Sequence, residues 1–194
     1  MWNERYASKE FVYGTSPNAF LKEELDKLKA GKILFLCEGE GRNAVYAAKQ
    51  GWEVEAFDLS EEGKKKAELL AKEKNVKFNY QLADASLVNY TPASFDVIAL
   101  IYAHFPPSIR QNIHQRIQAW LKPGGIVLLE AFNPAQLQNT SGGPKEISML
   151  YTVEMLQSDF EKLKIKKLNL LSTTLSEGKF HSGKADVIRL VATQ

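Results

Sequence analysis

The sequence predicts an α/β fold, a mostly parallel sheet with helices on both faces and an antiparallel hairpin at its closing edge. Three observations predict it. Short apolar runs such as Ile33–Leu36, Phe95–Ile101 and Ile126–Leu129 read as strands covered on both faces. Amphipathic helical stretches separate the successive strands, which requires right-handed crossovers and so parallel pairing. The last two strand-like segments, about 165–175 and 185–193, have no helix between them and should pair with each other. The 194 residues, 44% apolar and 25% charged, suit a single domain over 1–194.

Taken in order, residues 18–30 place Phe20, Leu21, Leu25 and Leu28 at helical spacing, with Asn18 as cap and Gly31 as stop. Ile33–Leu36 is the first strand. A glycine-containing turn leads into a helix from about Arg42 to Gln50, ended by Gly51. Val54–Phe57 forms the second strand and ends at Asp58. Ser60 caps the next helix, with Glu61 and Glu62 placed favourably for the helix dipole. The third strand is expected over Val76–Leu82, where apolar residues alternate with more polar ones. Phe95–Ile101 is the fourth. Ser108–Leu121 is an amphipathic helix on which His114 is expected to face solvent, and Lys122-Pro123-Gly124-Gly125 closes it. Ile126–Leu129 is the fifth strand. Residues 133–151, with their Asn-Pro and Ser-Gly-Gly-Pro turns, read as a long mobile loop that contacts substrate. A helix over Thr152–Lys162 precedes the hairpin.

Charge and cysteine content remove several function classes. With 25 Lys+Arg against 23 Asp+Glu, the net charge of +2 leaves no surplus to hold a polyanion, so no nucleic-acid partner is expected. One Cys cannot form an internal disulfide, and no Cys/His cluster has metal-ligand spacing, so no metal and a cytoplasmic setting are expected. The start, Met1-Trp2-Asn3-Glu4-Arg5, is polar where a secretory leader is apolar. The longest apolar run, Val97–Ala103, falls far short of the ~20 residues of a membrane helix.

Ligands of such sheets bind outside the carboxyl ends of the strands. After the first strand, Cys37-Glu38-Gly39-Glu40-Gly41-Arg42-Asn43-Ala44 offers glycines that let backbone approach a ligand and a helix N-terminus with free N–H groups. Asp58, ending the second strand, suits the two ribose hydroxyls of a nucleoside. Asp84, in Leu82-Ala83-Asp84-Ala85, suits an adenine amino group. Together they describe an adenosine site. The carboxylates of Glu38 or Glu40 suit an ammonium and would repel a pyrophosphate, and no Tyr-x-x-x-Lys pair occurs. An NAD(P)-dependent oxidoreductase and a catalytically silent cofactor-binding module are the alternative readings.

Leu36-Cys37-Glu38-Gly39-Glu40-Gly41-Arg42-Asn43-Ala44, Asp58, Asp84 and the Leu121–Gly125 turn resemble a class I S-adenosylmethionine-dependent methyltransferase. The similarity is to the small tellurite-resistance and thiopurine-methyltransferase-like branch, and runs from Trp2–Tyr6 and Tyr13-Gly14 to Glu177–His181. It implies a Rossmann-like seven-stranded sheet of order 3-2-1-4-5-7-6, strand seven antiparallel, and S-adenosylmethionine as cofactor. Where the family usually has an acidic residue, this chain has Phe35, and Glu38 is the nearest carboxylate to take the cofactor's ammonium. The cofactor site so implied comprises Tyr13, Glu38, Gly39, Gly41, Arg42, Asp58, Leu59, Asp84, Ala85 and Ile101, and either Arg5 or Arg42 is expected to hold the cofactor carboxylate. Residues 1–30 supply an aromatic lid segment and a helix over it, with Tyr13-Gly14 above the cofactor.

On the acceptor side, Tyr102, Phe105 and Gln136 are expected to contact substrate. His104, beyond the fourth strand, is a candidate base because imidazole titrates near neutral pH. His181 lies in the final turn, where the tellurite-resistance branch has a functional His followed by Arg; Ser182 follows it here. Methyl transfer is an in-line displacement on an activated carbon, so positioning and water exclusion dominate. The expected partner is a small-molecule methyl acceptor bearing a thiol, hydroxyl or chalcogen oxyanion, and the expected assembly a monomer or weak homodimer.

Overall fold

In the computed structural model, which describes residues 2–194, seven strands form one sheet. They are β1 (Lys32–Leu36), β2 (Glu53–Asp58), β3 (Asn79–Leu82), β4 (Phe95–Ile101), β5 (Leu121–Phe132), β6 (Lys164–Ser176) and β7 (Ser182–Thr193). The helices are α1 (Trp2–Tyr6), α2 (Ala19–Leu25), α3 (Arg42–Lys49), α4 (Glu61–Glu73), α5 (Pro107–Trp120) and α6 (Val153–Asp159). The order is β3-β2-β1-β4-β5-β7-β6, with β1 to β5 paired parallel and β7 antiparallel to both neighbours. This Rossmann-like arrangement is the expected one.

The apolar runs form central strands because both faces are covered. One face packs Ile98, Trp120, Tyr151 and Phe160 under α5 and α6, and the other packs Phe20, Leu21, Ile33 and Trp52 under α2 and α3. Each fully buried Phe or Leu contributes roughly 1.5–3 kcal/mol relative to exposure. Asn18 caps α2 by accepting from Leu21 N, and Ser60 caps α4 by accepting from Gly63 N.

The boundaries differ from the expected ones: β5 begins at Leu121 rather than Ile126, β7 at Ser182 rather than about 185, α6 ends at Asp159 rather than Lys162, and three further differences have a local cause. The helix expected to run to residue 30 ends at Leu25, and residues 26–28 tighten into i→i+3 turns, Leu28 N donating to Leu25 O. β3 starts at Asn79 rather than Val76, because Val76 N still bonds Ala71 O, while Val76 and Phe78 pack beside Val45 and Leu70. The 133–151 segment is packed rather than loose. It forms two 3-10 turns, Pro134–Gln138 and Ile147–Met149, and buries Gln136, Ser141, Leu150 and Tyr151. Its turn-forming residues serve tight turns seated on β5, where Tyr151 N donates to Phe132 O.

His114 also departs from expectation: it is fully buried. Its Nδ1 lies 2.8 Å from Asp159 at the end of α6, and its ring stacks on Phe160. The neighbouring Gln118 donates to Asp159 O, so this polar stripe of α5 is buried because α6 brings a carboxylate to it.

Candidate active site

The turn after β1 is organised by carboxylates that accept from backbone. Asp58, at the tip of β2, accepts from Gly39 N at 3.0 Å and from Ser60 N at 2.8 Å. Tyr80 of β3 donates its hydroxyl to Gly39 O at 2.6 Å, so three neighbouring strand tips meet at this glycine. Burial raises the Asp58 pKa against those N–H donors, which favour the charged form. Gly39 has φ +60, and a Cβ there would stand 2.5 Å from the Tyr6 hydroxyl. A side chain at position 39 would thus displace α1 as well as strain the turn.

Two expected cofactor contacts in this turn are corrected. Glu38 turns inward: its carboxylate accepts from Asn43 N and Ala44 N, both at 2.8 Å, capping α3. Burial pushes it up to about 7 despite those donors. Glu40 accepts from Val12 N and Tyr13 N and pairs with the buried Lys66 ammonium at 2.8 Å. Glu38 is thus engaged by the α3 N-terminus, and Glu40 by the backbone of residues 12 and 13 and by Lys66. Gly41, with φ +82, is a packing glycine, since a Cβ there would lie 2.5 Å from Ala67 of α4.

Toward β3 the surface opens. Asp84 uses one oxygen on the Ser86 N–H and hydroxyl, which lower its pKa, and its other oxygen has no partner among the described residues. Leu59, next to Asp58, is 59% exposed, an apolar shelf beside two carboxylates. Ala85 and Ile101 are buried in the core below, where only their backbone can meet a ligand.

Past β4 the chain is strained: Tyr102 has φ +55, an outlier for a bulky residue, and Cys37 at the tip of the adjacent β1 has φ +54. The Tyr102 ring stacks on Phe132 at 4.7 Å and meets the His181 ring edge-on at 4.5 Å, while its hydroxyl donates to Glu130 at 2.8 Å. Tyr13 covers His181 from the other side, at 4.5 Å, and its hydroxyl accepts from Arg5.

The two candidate histidines part company here. His104 Nδ1 donates to Met149 O at 2.7 Å and Nε2 accepts from Phe132 N at 3.1 Å, so no lone pair is free to take a proton. Burial lowers its pKa to about 4. The expectation of a base at His104 is therefore corrected: it joins the 133–151 segment to β5. His181 has only Nδ1 engaged, donating to Glu177 at 3.3 Å. Burial lowers the His181 pKa against the opposing pull of Glu177. Burial also acts on Glu177, but the hydrogen bonds and charges of His181 and Arg42 prevail and hold it at about 2.

Three further expectations change. Arg42 bonds Glu177 at 3.0 Å and reaches Ser16 O, instead of standing free for a cofactor carboxylate. Phe105 is 5% exposed, packs in the core and donates its backbone N–H to the Tyr151 hydroxyl. Gln136 donates to Ser141 and Gly142 and accepts from Asp186 N and Asn139, holding its loop with no atom left for substrate.

Residues 33–125 match a family model described as a methyltransferase domain. That stretch is a little under half of the chain, and over it the sequence is similar to methyltransferase domains. A ubiquinone biosynthesis O-methyltransferase of Idiomarina loihiensis is 32% identical over 117 residues, 59% of this chain and 47% of the relative, so this chain spans about half the length of that curated protein. TehB from Haemophilus influenzae superposes over 100% of this chain and 65% of its own with TM-score 0.76 at 16% identity. An S-adenosylmethionine-dependent methyltransferase of Methanosarcina mazei superposes over 89% of this chain and 96% of its own with TM-score 0.72 at 18% identity. Among the described residues no helix is long and apolar enough to cross a membrane, and no cluster of His, Cys, Asp or Glu could hold a metal.

The cofactor implied by the methyltransferase domain is S-adenosylmethionine, and the donor chemistry fits its nucleoside half. Asp58 keeps a second lone pair on each oxygen, Asp84 keeps an oxygen with no partner among the described residues, and Leu59, next in the chain after Asp58, offers an exposed apolar face. Sequence reasoning missed the residues that define the domain's other half: Glu177, Glu130, Arg189 and Asn18. The Asn18 amide bridges the two carboxylates, at 2.7 Å to Glu130 and 3.1 Å to Glu177. Only Glu177 had a readable signal, a carboxylate four residues before His181 across a glycine turn.

Proposed function

We propose that this chain transfers a methyl group from S-adenosylmethionine to a small-molecule nucleophile. Hydroxyls, thiols and chalcogen oxyanions are the acceptor classes, and the O-methyltransferase name of the curated relative favours hydroxyls. The observation that carries the reading is that Asp58, bonded to the Gly39 turn at the tip of β2, and His181, bonded to Glu177 in the β6–β7 turn, lie at the same end of the sheet. When bound, the cofactor supplies a methyl group already activated by a positively charged sulfur.

The chain's own residues do the rest. Asp58 binds the ribose hydroxyls and Asp84 the adenine amino group. Tyr13, Tyr102 and Phe132 exclude water around His181, and aromatic faces favour a neighbouring cation by roughly 0.5–2 kcal/mol each. Glu177 holds the Nδ1–H tautomer of His181, which leaves Nε2 to accept the acceptor's proton. Burial keeps that imidazole neutral, the form a base requires. Residues 2–18 act as the lid, pinned at Glu40 and by Asn18 N donating to Asn43.

Titration calorimetry with S-adenosylmethionine and its demethylated product tests the reading. Binding of both is expected, followed by methyl transfer to members of a panel of phenols, thiols, selenite and tellurite. Failure to bind either compound ends it, and binding without any transfer would leave a cofactor-binding module.

A further inference from the structure

A cleft of about 280 Å³ opens beside His181, between the 13–19 segment and the end of β6. Glu130 and Arg189 form its floor, Tyr13 and Glu177 stand on the side toward His181, and Thr173 and Thr174 line the opposite wall. Its volume is just under the ~300 Å³ at which pockets begin to hold drug-sized ligands, so its occupant is small.

The charges around the cleft are matched in pairs, and what stays open is hydrogen-bonding capacity. Glu177 pairs with Arg42, and Glu130 pairs with Arg189 Nε while also accepting from Asn18 and Tyr102. Both carboxylates therefore have a guanidinium of their own. Arg189 uses only Nε in that pair and rests its carbon-nitrogen plane over Phe20. Its two terminal nitrogens make no hydrogen bond among the described residues, and neither is a sealed, unpaired atom. The open donors at the floor are thus those of a guanidinium fork, which matches a carboxylate in two-point geometry.

We propose that this cleft binds the carboxylate end of a small organic acid through Arg189, and that this acid is the methyl acceptor, its nucleophile reaching back past Tyr13 to His181. Only the word acceptor rests on the methyl-transfer reading; the binding site stands without it.

The test is direct binding to the full chain, followed by nuclear magnetic resonance shifts, with benzoate and para-hydroxybenzoate as probes. Benzyl alcohol and benzylamine serve as neutral and cationic counterparts of the same shape. The carboxylates should bind at least tenfold tighter than the alcohol, with shifts at Arg189, Thr173 and Glu177, and Arg189→Lys should erase most of that margin. Because Arg189 also partners Glu130, a second variant is needed. Thr173→Phe fills the cleft from a half-buried strand position, and should abolish carboxylate binding while cofactor binding and thermal unfolding stay as in the parent. Equal binding of acid and alcohol, tighter binding of the amine, no binding of either acid, or acid binding that survives Thr173→Phe would each overturn the proposal. Loss of cofactor binding in the parent would instead strike the methyl-transfer reading and leave the cleft's chemistry standing.

Discussion

At the tips of β1 and β2 the carboxylates answer backbone N–H groups, whereas at the tips of β4 to β7 they answer other side chains. Glu38 caps α3, Glu40 holds Val12 and Tyr13, and Asp58 ties Gly39 to Ser60. Across the sheet, Glu177 takes Arg42 and His181, and Glu130 takes Arg189, Asn18 and Tyr102. The first region is a backbone surface held by carboxylates. The second is a side-chain network, and side chains are what a sequence can exchange without rebuilding the fold.

The comparison can be broken hardest at Glu40. Removing its carboxylate by Glu40→Ala strands the buried Lys66 charge and two backbone N–H groups, and should cost about 3–5 kcal/mol in urea unfolding. A loss below 1 kcal/mol would mean that the 2–18 segment is not anchored there.

His104 gives the next largest effect. Its pKa lies near 4 in the folded chain against 6.5 as the ordinary value, so the unfolded chain binds the extra proton between those values. The folded state should lose about 3 kcal/mol as pH falls from 6.5 toward 4, with nothing more lost to this group below that. His104→Gln should flatten this part of the stability profile; an unchanged slope would place the titration elsewhere.

Two substitutions sharpen the contrast between the regions. Glu177→Gln should lower methyl-transfer rate roughly 10- to 100-fold, at or below the low end of what a positioned base contributes, with little change in cofactor affinity. Without the carboxylate that favours its charged form, His181 should titrate lower, moving the acidic limb of the pH–rate profile down. An unmoved limb would leave Glu177 a structural group only. Asp58→Asn should do the reverse, weakening cofactor binding by roughly 1–3 kcal/mol by calorimetry, as for a lost charged acceptor. Equal effects of the two variants on affinity would dissolve the distinction.

Much of the fold was legible because its signals are local. Apolar runs and caps such as Asn18 and Ser60 each act within a few residues, whereas the turn expected at Lys122–Gly125 lies within β5. Glu38 was misread for an equally local reason: its position beside the glycines said that it lay in the turn, not that the α3 N–H groups would claim it. His114 was misread because helical spacing marks a polar residue as exposed unless another element brings it a partner.

The sequence by itself determined the order of strands and helices, the glycine turn after β1 and the placing of Asp58 and Asp84 at strand ends. Only the tertiary structure decided which polar groups are taken and which are open, because those partners come from distant parts of the chain. Asn18 meets Glu130 across 112 positions, Arg42 meets Glu177 across 135, and Asn18 meets Glu177 across 159. Periodicity and turn chemistry operate over a few residues. The choice of partner for a buried charge is made by whichever segments the finished sheet brings within about 3 Å of it.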